Sequence, residues 1–124
     1  FNSGANKAKL GGTMATTSKA RNAVQLKSSF TISENSLTSK GAKTVYMQIV
    51  DPSGKTIQLR SGNITTIGSS QVAYTNKRDI NYSGSRIDVS IYQDLNETKI
   101  SKGNYKVKIY CQGQLIGTDS FTLK

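Results

Sequence analysis

Gly103-Asn104-Tyr105-Lys106-Val107-Lys108-Ile109-Tyr110-Cys111 runs into Gln112-Gly113-Gln114 and then into Leu115 to Lys124, which closes on Phe121-Thr122-Leu123. This stretch decides the fold. Tyr105, Val107, Ile109 and Cys111 share one parity, and Lys106, Lys108 and Tyr110 take the other. A period of two is that of a strand with one face buried. Two such runs around a short glycine-containing turn predict a β-hairpin.

Working outward, the same alternation recurs. Val24, Leu26, Phe30 and Ile32 predict a first strand, and Glu34 to Gly41 a polar connection. Lys43 to Val50 predicts a second, with Val45, Met47 and Ile49 inward and Tyr46 and Gln48 outward. Asp51-Pro52-Ser53-Gly54 fits a type I turn, with Pro at its first central position and Gly at its fourth. Lys55 to Arg60 is expected to return as a third strand, with Ile57 and Leu59 inward. Ser61 to Ser70 carries no clear period. Gln71 to Thr75, Asp79 to Tyr82 and Arg86 to Gln93 read as further strands, the last with Ile87, Val89 and Ile91 inward. Asp94 to Lys102 is a polar loop interrupted by Leu95 and Ile100.

About seven strands at roughly ten-residue spacing predict an all-β fold, an immunoglobulin-like antiparallel β-sandwich. A β-barrel is the structural alternative. Tyr105, just after Gly103, sits where a tyrosine corner would bond backbone across a loop, which favours the sandwich. The expected core residues are Val45, Met47, Ile49, Val89, Ile91, Val107, Ile109 and Phe121.

The chain has 124 residues, enough for one domain with a core of its own. Residues 1–21 are rich in Gly, Ala, Ser, Thr, Asn and Lys and show no sustained period. They read as an irregular basic arm, with the sandwich over residues 22–124. The chain starts at Phe1 and reads as a fragment or processed product, with any targeting segment upstream. Cys111 is the single cysteine, so no intramolecular disulfide can form, and its parity makes it a buried apolar residue.

Seventeen basic residues against seven acidic ones give a net charge of +10. Such charge suits nucleic acid, anionic glycan or a membrane surface, and equally suits lysines that guard strand edges against aggregation. The chain contains no histidine, which removes the usual general base, the common triads and most zinc sites. Asp51 belongs to a turn, Asp88 faces outward, and Asp79 follows Lys77 and Arg78. No nucleophile, base and orienting group can be assembled from such residues, so no enzyme, cofactor or small-molecule substrate is expected. Asp94-Leu95-Asn96-Glu97 offers oxygen ligands but lacks the EF-hand spacing, and no metal site is expected.

Tyr46, Tyr92 and Tyr110 lie on the outward parity of their strands, and Lys106 and Lys108 share the face of Tyr110. These five are the candidate partner-binding residues. Rings interleaved with cations can stack bases or sugars. The same pattern also arises from plain cross-strand packing of lysine stems on tyrosine rings. A third use is a protein docking surface, where tyrosine is enriched.

Three sets of residues carry a resemblance: Phe30 to Asn35 with Lys43 to Pro52; Asn81 to Gly84 with Ile87 to Tyr92; and Gly103 to Tyr110 with Gly113, Leu115 to Gly117 and Ser120 to Leu123. Together they resemble the C-terminal β-sandwich domain of a Bacteroidetes family of membrane-anchored coiled-coil proteins, often labelled as chromosome-partitioning proteins. The likeness covers Lys27 to Lys124. It implies a non-catalytic structural or protein-interaction module, the terminal domain of a larger bacterial envelope protein, periplasmic or extracytoplasmic. Its partners would be other proteins or itself, docking on strand faces or an edge, with membrane contact only through an upstream segment. The alternative is a basic domain that binds polyanions.

Overall fold

The computed structural model describes residues 1–34, 37 and 39–124. Ten strands are described: β1 (Asn2–Ala8), β2 (Met14–Thr17), β3 (Gln25–Ile32), β4 (Gly41–Val50), β5 (Ile64–Ile67), β6 (Ser70–Ala73), β7 (Asn76–Tyr82), β8 (Ile87–Asp94), β9 (Gly103–Cys111) and β10 (Gln114–Leu123). They form a four-stranded sheet in the order β2-β1-β3-β8, a second in the order β10-β9-β4-β7, and a separate β5-β6 hairpin. All pairings between strands are antiparallel. The fold is an antiparallel β-sandwich, as the alternation predicts, with ten strands in place of about seven.

The deciding hairpin is β9–β10. Gln112 and Gly113 both have positive φ, 55° and 72°, and Cys111 pairs with Gln114. Two left-handed residues between paired strands make a type I′ turn, whose twist matches that of the strands. Ile116 is then the extra residue of a β-bulge, where the register shifts between Leu115 and Gly117. The ring of Phe1 fills the space that a side chain at Gly117 would need, and it stacks on Phe30 with centroids 5.6 Å apart.

The core lies between the sheets. Val45, Met47, Ile49, Val107, Ile109 and Cys111 face Leu26, Phe30, Val89 and Ile91, all buried. Burying each large aliphatic chain contributes about 1.5–3 kcal/mol. Phe121 is only partly buried, because β10 is an edge strand, but it stacks on Tyr105 at 5.1 Å. Val24, aligned by parity with Leu26, lies just before β3 and is exposed.

Three expectations are corrected. Residues 2–8, expected in an irregular arm, form β1, held between β2 and β3. Ala5 pairs with Leu26 and is 1% exposed. Ladder hydrogen bonds need backbone, not apolar side chains, so a strand weak in propensity forms once both neighbours are present. Lys55 to Arg60, expected as a strand, makes a single bridge from Thr56 to Val50. The edge of β4 that it would need is taken: β7 pairs with Gly41 to Met47, the Thr75 N–H donates to the Met47 carbonyl, and the Ile49 N–H donates to the Thr75 hydroxyl. Ser61 to Ser70, with no readable period, contributes β5 and joins β6 through Gly68 and Ser69. Asn35, within both the resembling stretch and the polar connection, lies outside the described residues.

Candidate binding surfaces

The structure distributes the five sequence-selected residues over two sheets. Tyr46 on β4 pairs with Tyr110 on β9, which pairs with Leu115 on β10. Directly opposed residues share a face, so Leu115, Tyr110 and Tyr46 form a row across the outer side of the second sheet. Tyr46 also meets the buried Tyr74 edge-on at 4.9 Å. The next row is Thr118, Lys108 and Gln48, and the one beyond is Ser120, Lys106 and Val50. Gln48 is covered, because its side-chain amide donates to the Ala73 carbonyl at 2.9 Å beneath the β5–β6 hairpin.

Tyr92 stands apart from the other four. It lies on the outer face of the first sheet, opposite Lys27, and is 46% exposed. It borders two adjoining hollows that also share Gln25. One, of about 550 Å³, runs past Arg60, Asn63, Asn76, Lys77 and Asp94. The other, of about 500 Å³, runs past Asn6, Thr16 and Lys27. A polar ladder forms the floor between them: Asn6 donates to Gln25 at 2.8 Å, and Gln25 donates to Asp94 Oδ1 at 2.9 Å. No alternation pattern joins these residues, since they come from five strands and the loop between β4 and β5. The sequence signal available was the repeated side-chain amide, which carries no period.

The chemistry around these surfaces is quiet. Burial pushes the Cys111 thiol and the Tyr105 phenol up from their ordinary values. The Ser53 hydroxyl, foremost among its partners, holds the Asp51 carboxyl below its own. Among the described residues, no three Cys, Asp or Glu side chains cluster as metal ligands would.

The chain resembles one solved structure, the Pseudomonas fluorescens alkylpurine DNA glycosylase AlkC bound to DNA containing an abasic site analog. Identity is 16%, the TM-score is 0.45, and 82% of this chain is covered. The match spans 26% of the glycosylase chain, so this chain corresponds to about a quarter of that protein. The neighbour is an enzyme, which runs against the expectation that this chain is not one, and that expectation does not stand. A likeness of this degree passes no chemistry from the glycosylase to these residues. No curated protein matches the chain. The whole of it, residues 1–124, matches the model described as Domain of unknown function (DUF8428), and the chain belongs to that family.

Proposed function

We propose that this chain is a protein-interaction module, the immunoglobulin-like terminal domain of a larger membrane-anchored bacterial envelope protein, and that it docks through β10 and the sheet face beside it. The observation that carries this reading is the row Leu115–Tyr110–Tyr46, which ends at the edge strand β10. Leu115 is 50% exposed and Ile116 is 36% exposed. An unpaired edge offers backbone groups to an incoming strand, and an adjoining aromatic row gives it side-chain specificity. The far end of β10 is occupied: the Lys124 N–H donates to the Ser18 carbonyl and the Ala20 N–H to the Lys124 carbonyl. That leaves the stretch near the hairpin turn for docking. The resemblance of Lys27 to Lys124 to the envelope family supports the setting. The Tyr105 hydroxyl, which donates to the Ser101 carbonyl at 2.6 Å, supports the immunoglobulin-like description.

The test is site-specific photo-crosslinking in the bacterium that encodes the chain. A crosslinker at Leu115 is expected to give a discrete protein adduct, or a dimer if the partner is a second copy, that Ile116→Lys abolishes. The same adduct from a crosslinker at Thr31, on the opposite sheet, or none from Leu115, would overturn the reading.

A second reading, polyanion binding, is favoured by the unpaired charge. Among the described residues the ion pair is Arg86–Asp88 at 3.8 Å, so most of the positive charge meets no carboxylate at salt-bridge distance. Titration against duplex DNA and anionic vesicles at two salt concentrations tests it. Binding that survives near-physiological salt and disappears when Lys106 and Lys108 are both changed to Glu supports this reading and that face. Binding lost by physiological salt rejects it.

A further inference from the structure

We infer that the groove centred on Tyr92 is a binding site for an acidic oligosaccharide, one bearing carboxylate or sulfate groups. This goes beyond the docking reading and is independent of it, because the groove lies on the first sheet and the docking row on the second.

The groove's shape and length come from the two hollows that meet at Tyr92 and Gln25. A path along both accommodates several linked rings, whereas a compact metabolite would fill one. Its chemistry is dominated by side-chain amides. Asn6, Gln25, Asn63, Asn76 and Asn96 line it, together with the carboxylate of Asp94. An amide presents a donor and an acceptor side by side, which suits neighbouring hydroxyls that each donate and accept. Tyr92 supplies a ring against which the C–H face of a sugar can pack.

Several of these groups are already held. The Asn6–Gln25–Asp94 ladder spans three adjacent strands, with bonds of 2.8 and 2.9 Å. Asn76 donates to the Tyr92 carbonyl at 2.6 Å while its Oδ1 accepts from the Lys77 N–H at 2.9 Å. Asn63 donates to the Thr75 carbonyl at 3.3 Å. Side chains fixed before binding lose little freedom on binding.

The charge selects an acidic ligand. Arg60, Lys77 and Lys27 line the groove against the single carboxylate of Asp94. Arg60 in particular can hold a carboxylate or sulfate in two-pronged fashion. Nucleic acid would share the charge but not the rings. Binding a single strand relies on successive aromatic platforms. Here Tyr92 is the exposed ring, while Tyr74, the groove's other tyrosine, is 6% exposed and set edge-on to Tyr46.

The test uses the whole chain and amide-resolved NMR titration. The probes are an oligogalacturonide tetrasaccharide, a heparin-derived tetrasaccharide, cellotetraose as the neutral control, and a short oligothymidylate. At least one acidic tetrasaccharide is expected to shift the side-chain amides of Gln25, Asn63, Asn76 and Asn96, with cellotetraose weaker by about tenfold or more. Tyr92→Ala and Arg60→Ala should each weaken binding by about tenfold. Asn96→Gly, which removes the amide of an exposed loop residue while tolerating its φ of 49°, should weaken it without touching the sheet. No shifts at millimolar acidic sugar, equal binding of cellotetraose, or tighter binding of oligothymidylate in the same groove would each overturn the proposal. Loss of this binding leaves the crosslink at Leu115 unaffected, so the two readings fail separately.

Discussion

The side-chain amide of Asn76 on β7 donates to the backbone carbonyl of Tyr92 on β8 over 2.6 Å. One step along, Arg78 donates to the Ser90 carbonyl over 2.7 Å. β7 and β8 are edge strands of different sheets, so side chains of one sheet occupy the edge carbonyls of the other. These bonds close the sandwich on that side, and the other edge strands are β2 and β10, the latter bonded at its far end through Lys124.

Removing both donors should reopen the β8 edge. Asn76→Ala with Arg78→Ala is expected to cost about 1 kcal/mol per lost bond and to promote association through the freed strand. Urea denaturation reads the first effect and sedimentation velocity the second. A double variant that stays as stable and as monomeric as the parent would show that these bonds do not guard the edge.

The Tyr105 hydroxyl holds the loop before β9 by donating to the Ser101 carbonyl at 2.6 Å. Tyr105→Phe should cost about 1 kcal/mol at neutral pH. Burial raises the phenol's pKa in the folded state, against a smaller lowering by the Ser101 bond. The stability this contributes is complete below about pH 10, the unfolded value, and is lost as pH rises through the folded one. The Phe variant should therefore lose less stability between neutral and strongly alkaline pH than the parent. An identical alkaline limb would contradict this.

Gly103 has a φ of 132°, and a Cβ there would lie 2.7 Å from Pro52 Cγ. Gly103→Ala should destabilise by about 2–3 kcal/mol through backbone strain and overlap with the turn. Calorimetry should show a fall in Tm of about 8–12 °C. Gly62→Ala, at a site open to solvent around the added carbon and with no positive φ, is the control and should change little.

The Asp51 carboxylate accepts from the Ser53 hydroxyl at 2.6 Å, from the Ser53 N–H at 2.9 Å and from the Lys55 N–H at 3.0 Å. The Ser53 hydroxyl leads in lowering its pKa, while slight burial opposes. With the folded value below the unfolded one, the turn's contribution is present above about pH 4 and fades as pH falls through the folded value. Asp51→Asn should flatten the acid limb of a stability profile, and, because the Asp51 charge helps raise the Tyr105 phenol, it should also lessen slightly the loss on the alkaline limb. Parallel acid limbs in variant and parent would refute the assignment.

Most of the faces were legible in the residues themselves. Val45, Met47, Ile49, Val89, Ile91, Val107 and Ile109 are all buried, as their alternation predicts, and Cys111 is buried with them. The period-two pattern is written in consecutive side chains, and burial on one face is what selects it. β1 was illegible because Asn2, Ser3, Gly4 and Asn6 carry no apolar period. Its pairing depends on backbone groups that every residue possesses.

What the sequence by itself determined is local: the hairpin at Gln112-Gly113, the Asp51 turn, and the inward and outward faces of β4, β8 and β9. The tertiary structure alone decided which strands adjoin. It set Tyr46 beside Tyr110 while placing Tyr92 on the other sheet. It also gathered Asn6, Gln25 and Asp94 into one ladder from distant parts of the chain. Strand order follows from competition among many long-range pairings, and no single segment's pattern encodes that outcome.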